Sequence, residues 1–532
     1  SVGRFAYHNF LDWEIEPKME WLRRELDKAG GEAWFQSIVY GAIVEGRRVT
    51  GVAVATPLGN GAVLAREVVD ATGSADVAIA AGAPYEHLAH EHFTVQGTGL
   101  SDRNPDTSYN NSDWCVADDA DPVDCTRMLA AGHKKYRTVF DTSPLIGTRE
   151  RRRIVGEYTL QPMDIILHRR FRDSICHARS NFDAHSYYIH PLFRYWFSSV
   201  HDVFWCYVPY RCLLPCDVEH VIVTGLALSV HRDGLPVVRM QPDMQNQGYA
   251  AGLAAALCAQ GGIAPRELPV RELQQRLVEV GCLDAEVLDH EDTPPPTAEQ
   301  ARHAAMRLDK PADIALLFAA PPETARTALK AIFPRCTNVW QRLLTAEMLA
   351  CFGDASGFAE LREHLASDKE DEGQQFPRMS RTGHVSGYGG TDAVVVSIAD
   401  TGHPDAAAAI GSFISRLNPG TNYSHFWAAA WACGELADAR LAAPLAACLR
   451  MPGMSGHQIT TQQEMNDRTS DVASPGSKVD NLHYEQAARE LILASALYRC
   501  GDKDGVGRDA LMAYTRDLRG AFAAYAARAL AH

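Results

Sequence analysis

The stretch Val68 to Tyr85, VVDATGSADVAIAAGAPY, decides how the chain is read. A β-branched run ends on Asp70, turns at Thr72-Gly73 and passes into an Ala-rich segment. This order predicts a strand that feeds a helix through a tight glycine turn. Such a junction gathers free backbone N–H groups and the positive end of a helix dipole at one point, where a phosphate or a polarised carbonyl is held. Upstream, Ser37 to Val44 and Arg48 to Ala55 read as strands joined by a hairpin at Glu45-Gly46, and Val63 to Val69 reads as the strand entering the turn. Before them, residues 12 to 30 place Trp13, Ile15, Met19, Leu22 and Leu26 at helical spacing, and Gly30-Gly31 ends that helix.

Downstream, residues 86 to 215 are rich in aromatics, His, Arg and turn formers, with weak periodicity. His220 to Thr224 reads as a buried strand. Gln247 to Ala259 reads as an Ala-rich helix whose Gly248 and Gly252 permit close backbone approach. Pro265 to Leu283 reads as a further helix, and DTPPP at 292–296 as a linker, because proline denies both helix and ladder hydrogen bonds. Beyond residue 300 the chain becomes Ala- and Leu-rich, and four units repeat the order helix end, glycine turn, small or acidic residues, helix. Their glycines are Gly353, Gly402, Gly434 and Gly501, unevenly spaced because of insertions at 366–392 and 451–482. The pattern points to HEAT-like paired helices, with a plain helical bundle as the alternative. The polar loops at 383–391 and 455–480 read either as surface loops or as covers for a site or partner.

The wording of residues 70–85 closely resembles the DATGD-x-D-V-A segment of FAD-dependent oxidoreductases of the glutathione-reductase-like superfamily, departing from it mainly at Ser74. Further blocks follow in the family's order: Arg152 to Tyr158, FRDSI at 171–175, Asp183-Ala184-His185, YVPYRCLL at 207–214, VIVTG at 221–225, VRM at 238–240 and GYAAGLAAAL at 248–257. The resemblance runs from about residue 15 to about residue 282. It implies FAD as cofactor and an α/β FAD-domain portion at 1–85. A substrate cap of α+β type follows at 86–215, the FAD domain returns with a flavin-binding helix at 216–290, and an all-α HEAT-like domain occupies 297–532. The family's N-terminal G-x-G-x-x-G fingerprint is not found, since Gly59, Gly97 and Gly387 each open runs that fail at the third glycine or its flanks. With Ser1 at the start, the expectation is a processed or split chain that needs a companion polypeptide or segment carrying that fingerprint.

Composition narrows the function. A formal net charge of −15 argues against nucleic acid and anionic membrane as partners. No apolar run reaches the roughly 18 to 20 residues that span a bilayer. Thirteen cysteines sit mostly in apolar stretches, and Cys212 and Cys216 have C-x3-C spacing without a second ligand pair, so no metal site is expected. Cysteine usage leans towards a reducing compartment, with the cytoplasm favoured.

A flavin enzyme must place a C–H bond over N5, remove the neighbouring proton and stabilise the N1–C2=O edge. For cofactor binding the resemblance indicates Thr72, Gly73, Gly225, Arg239, Gln247 and Gly248, the last two through a helix start near them. Leu226 follows Gly225 where related flavoproteins often carry Arg or Asp, which removes one expected side-chain contact. For proton transfer the candidates are His185, with Tyr187 lining its pocket, and His231. Arg152 and Arg211 suit an anionic substrate, or pair internally with Glu157, Asp164 or Asp173. The expected activity is removal of hydride from a hydroxyl-bearing small molecule, a sugar or polyol among the options. A non-catalytic helical-repeat interaction subunit derived from a flavoprotein is the alternative.

Overall fold

The computed structural model describes residues 15–87, 96–97, 100–102, 113–118, 121–135, 140–142, 151–183, 188–196, 202–367, 389–468 and 481–531. The chain divides into two compact units. The first comprises Ser1–His87, Arg151–Asn181 and Val203–Thr293; the second comprises Leu88–Glu150, Phe182–Asp202 and Pro294–His532. The stretch 86–215 is thus shared between them, with residues 86–87, 151–181 and 203–215 in the first unit.

The first unit opens with helix α1 (Ile15–Lys28), which ends at Gly30, φ +74°. An antiparallel sheet follows, β1 (Ile38–Glu45), β2 (Arg48–Thr56) and β3 (Gly59–Leu64) in that order. Glu45 pairs with Arg48 across a two-residue turn in which Gly46 takes φ +64°, the left-handed conformation that glycine adopts without a Cβ clash. One strand was expected over 63–69, but the chain changes sheets there. Gly59–Leu64 pairs with β2, whereas β4 (Val68–Asp70) pairs in parallel with β7 (Val221–Val223). A single strand cannot serve both ladders in these directions, so Ala65–Glu67 bends between them.

After β4 comes the short helix α2 (Asp76–Ala80), and later the antiparallel pair β5 (Ser174–Ser180) and β6 (Phe204–Pro209). Helix α3 (Gln241–Gly261) packs on β4, β5 and β7, and the unit closes with α4 (Val270–Glu279). The expected helix over 265–283 is broken at Pro269, leaving a 3₁₀ turn at Pro265–Glu267 before α4. A core of Val49, Ala75, Val77, Ala78, Ile154, Val221 and Val223 lies between the antiparallel sheet, the parallel pair and α2. The Asp292-Thr293 end of the expected linker is tied to this unit: Asp292 accepts the Arg172 N–H at 3.0 Å, and Thr293 Oγ1 accepts the Arg170 N–H at 2.8 Å.

In the second unit the described C-terminal α-helices of eight or more residues are α5 (Ala298–Arg307), α6 (Pro311–Ala319), α7 (Pro322–Ile332), α8 (Val339–Cys351), α9 (Phe358–Ala366), α10 (Gly390–Asp400), α11 (Ala406–Ile414), α12 (Tyr423–Leu436), α13 (Ala442–Leu449), α14 (Asn481–Arg499), α15 (Val506–Tyr514) and α16 (Gly520–Ala531). Packing skips one helix in turn. α8, α10, α12, α14 and α16 form one row of neighbours, and α9, α11, α13 and α15 form another. Gly353, Gly402 and Gly501 end helices with positive φ, as their place in the repeated units requires. Gly434 does not. It lies inside α12, and Ala437 at φ +45° makes that helix end instead. The chain is therefore an α/β portion followed by an all-helical one.

Candidate functional site

The parallel pair sets the geometry. Val221, Ile222 and Val223 stand beside Val68, Val69 and Asp70, so β4 and β7 end level, and the Thr224 N–H bonds to the Asp70 carbonyl at 3.0 Å. The two loops leaving these ends carry Thr72-Gly73 and Thr224-Gly225. In open α/β sheets the crevice beyond the carboxyl ends of parallel strands is where ligands bind. Gly73 has φ +82° and Gly225 has φ +79°. No atom lies within 4 Å of where a Cβ on Gly225 would stand, so that position faces open space. The same is true of Gly248 and Gly252 on α3, which packs over the Gly225–Ala227 turn.

Of the N–H groups expected free at the Thr72-Gly73 junction, those of Thr72, Asp76, Val77 and Ala78 are taken within the turn. Asp70, 1 % exposed, turns its carboxylate back into the turn. Its Oδ2 accepts the N–H groups of Val77 at 2.9 Å and Ala78 at 3.0 Å, and its Oδ1 accepts the Thr72 N–H at 3.1 Å and the Thr72 hydroxyl at 2.7 Å. Thr72 Oγ1 in turn accepts the Asp76 N–H at 2.9 Å. The strand's own terminal acid thus caps the helix from a distance, since buried amides demand partners and a carboxylate is the strongest acceptor available. Above this turn stands Arg151, whose Nη1 lies 3.7 Å from a would-be Cβ on Gly73 and 3.5 Å from Ser74 Oγ. Arg151 was hidden in the sequence within the basic run 149–153.

The helix expected to start near Gln247 starts at Gln241. Met240 is extended and Pro242 lies in the first turn, so the backbone N–H groups of Gln247 and Gly248 lie within the helical ladder. What Gln247 offers is its side chain. It is fully buried, its Nε2 donates to the Val238 carbonyl at 2.8 Å, and its Oε1 has no hydrogen-bond partner among the described residues. Thr224 Oγ1, at the end of β7, is likewise buried without a partner among them. Leaving such a group unsatisfied costs about 1–3 kcal/mol. Two orphaned polar atoms beside bare glycine backbone are what a polar cofactor would complete, so the residues present fit FAD.

One turn before Gln247 on the same buried face of α3 is Asp243, which is not among the residues expected from the sequence. Burial pushes its carboxyl up to about 7, against a weak opposing hydrogen bond from the Arg179 N–H at 3.4 Å. Its place in the first helical turn favours the anion, but loss of water outweighs the dipole. The signal for it was present: an acid at position three of a helix opened by Gln-Pro, with the apolar Ala250 and Ala251 seven and eight residues on.

The other expected residues fall as follows. His185 and Tyr187 lie outside the described residues. His231 is half-buried, and its Nδ1 accepts the Asp233 N–H at 3.1 Å. Arg152 forms an ion pair with Asp76 at the start of α2, and not with the carboxylates of Glu157, Asp164 or Asp173. Arg211 is clamped by Asp173, Nε to Oδ2 at 3.0 Å and Nη2 to Oδ1 at 2.8 Å, and reaches Asp292 at 2.9 Å. Arg239 is half-buried and stands immediately before α3.

Residues 13–98 and 106–277 match the family model described as FAD dependent oxidoreductase. The matched span contains β4, the Thr72-Gly73 turn, β7, Gly225 and all of α3. No curated protein matches the chain, and no solved structure does. The N-terminal half of this chain is an FAD-dependent oxidoreductase segment, an enzyme segment with FAD as its cofactor.

Proposed function

We propose that the first unit removes a hydride from a hydroxyl-bearing small molecule, a sugar or polyol being the class favoured. FAD, when bound, supplies the two-electron acceptor at N5. The orphaned Thr224 Oγ1 and Gln247 Oε1 beside Gly225 are the observation that carries this reading. These two oxygens orient the cofactor, with Arg151 and Gly73 taking its negative groups on the other loop. Asp243 takes the hydroxyl proton on its carboxylate as the alcohol becomes a carbonyl. A group with pKa about 7 suits that task, because it is partly ionised at neutral pH yet basic enough to hold the proton. His231, His185 and Tyr187 are further candidates for holding the substrate oxygen or moving its proton.

We further propose that the dinucleotide fingerprint comes from polypeptide outside residues 1–532. Among the described residues β4 and β7 pair only with each other. Parallel strands are normally parts of larger sheets buried on both faces, so this pair is suited to continue a sheet supplied by a companion. The two rows of helices in the second unit support a HEAT-like solenoid.

The test is a visible spectrum and intact mass of the protein isolated from its native source. A complex absorbing at about 450 nm, with a second polypeptide or added segment bearing Gly-x-Gly-x-x-Gly, supports the proposal. A colourless chain that takes up no added FAD, even with such a companion, overturns it. Turnover of a sugar panel then reads substrate class, and Asp243→Asn is expected to lower kcat about 100-fold or more.

A further inference from the structure

A cleft of about 670 Å³ lies within the second unit, far in sequence from the family-matched span. One face of each of three helices forms it: Trp427, Trp431 and Glu435 from α12, Arg499 from α14, and Tyr525 with Arg528 from α16. Its volume falls in the range of small-molecule sites. The Trp427 and Trp431 rings are stacked with centroids 5.5 Å apart, giving the cleft a flat aromatic wall.

Arg499 is placed for a ligand. Its Nη1 lies 3.2 Å from where a Cβ on Gly434 would stand, so the guanidinium lies close against α12, and a side chain at 434 would make it give by a few tenths of an ångström. That explains a glycine in mid-helix, which otherwise costs about 1 kcal/mol relative to alanine. The last turn of α14 favours a cation by its dipole, but the dipole does not require the side chain to be laid into the cleft. Among the described residues Arg499 makes no ion pair and no side-chain hydrogen bond, and neither does Glu435 at the same cleft.

The geometry points to a binding site for a small aromatic carboxylate. The Arg499 guanidinium fork takes the carboxylate, Arg528 adds positive charge, and the ring lies along Trp431 and Tyr525. Glu435 and the negative chain disfavour dianions such as phosphate.

The experiment is isothermal titration calorimetry on the full chain in low salt with 2-naphthoate, with 2-naphthamide as the neutral isostere and inorganic phosphate as the bare anion. One 2-naphthoate per chain is expected, with the amide about tenfold weaker and phosphate weaker still. Arg499→Gln weakens 2-naphthoate about tenfold by removing the cation, and Gly434→Ala weakens it less, about two- to threefold, by shifting the cation slightly. Glu435→Gln tightens it about two- to fivefold by removing a like charge. Arg499 is exposed, so Arg499→Gln keeps its fold, checked by an unchanged circular dichroism melt. The inference is overturned by the absence of saturable heat into the millimolar range, by equal affinity for acid and amide, by phosphate binding as tightly as 2-naphthoate, or by an Arg499→Gln titration that matches wild type.

Discussion

Replacing Asp243 by Asn should change how stability depends on pH. Burial pushes the folded carboxyl from 3.8 to about 7, and every tenfold change in proton affinity between the folded and unfolded chain corresponds to about 1.4 kcal/mol. Below about pH 4 both folded and unfolded forms hold the proton, and the group costs nothing that varies with pH. As pH rises from about 4 to about 7 the unfolded chain ionises while the folded one does not, so stability falls. Above about 7 the folded group ionises too, and the loss levels at roughly 4 kcal/mol. Asparagine cannot ionise and escapes this loss. The variant should therefore gain on wild type by roughly 2–3 kcal/mol between pH 5 and pH 8. Urea unfolding at the two pH values measures the gain, and amide hydrogen exchange over residues 174–261 separates the first unit from the second, since a chain of two units need not unfold in one step. A gap between variant and wild type that stays the same within about 0.5 kcal/mol from pH 5 to pH 8 would refute the reasoning, because it would mean that the helix dipole and the Arg179 N–H, not desolvation, set the carboxyl.

Asp70→Ala strips the acceptor from two helix N–H groups and from Thr72, and should cost about 3 kcal/mol in urea unfolding of the first unit; a loss below about 0.5 kcal/mol would show that water replaces the carboxylate. Gly225→Ala forces a Cβ onto φ +79° and into the crevice; about 1 kcal/mol of stability is lost, while flavin uptake by absorbance titration falls at least about tenfold. Arg211→Met breaks the clamp to the buried Asp173 and should lower stability by about 2 kcal/mol while leaving substrate KM unchanged; a KM effect without a stability effect would restore Arg211 to substrate binding.

The order of residues alone dictates the local course of the first unit. The β-branched run ending at Asp70, the glycine at 73, the hairpin at Gly46 and the Ala-rich helix after Arg239 are written in residues whose backbone preferences act over a few positions. The ordered motifs also carried the family, because they lie within residues 13–277, the span that matches its model. What the residue order could not show is how polar groups are shared across the fold. Asp70 looked like the end of a strand, and folding brings its carboxylate onto amides seven and eight residues away. Arg211 looked like a substrate anchor until folding set Asp173 and Asp292 around it. Asp243 drew no notice in the residue order, and its raised pKa follows from burial in the fold. Gly434 looked like a turn, yet its purpose is read from Arg499, 65 residues on. Backbone preference is local and legible in order; desolvation and charge pairing depend on distances that exist only once the chain has folded.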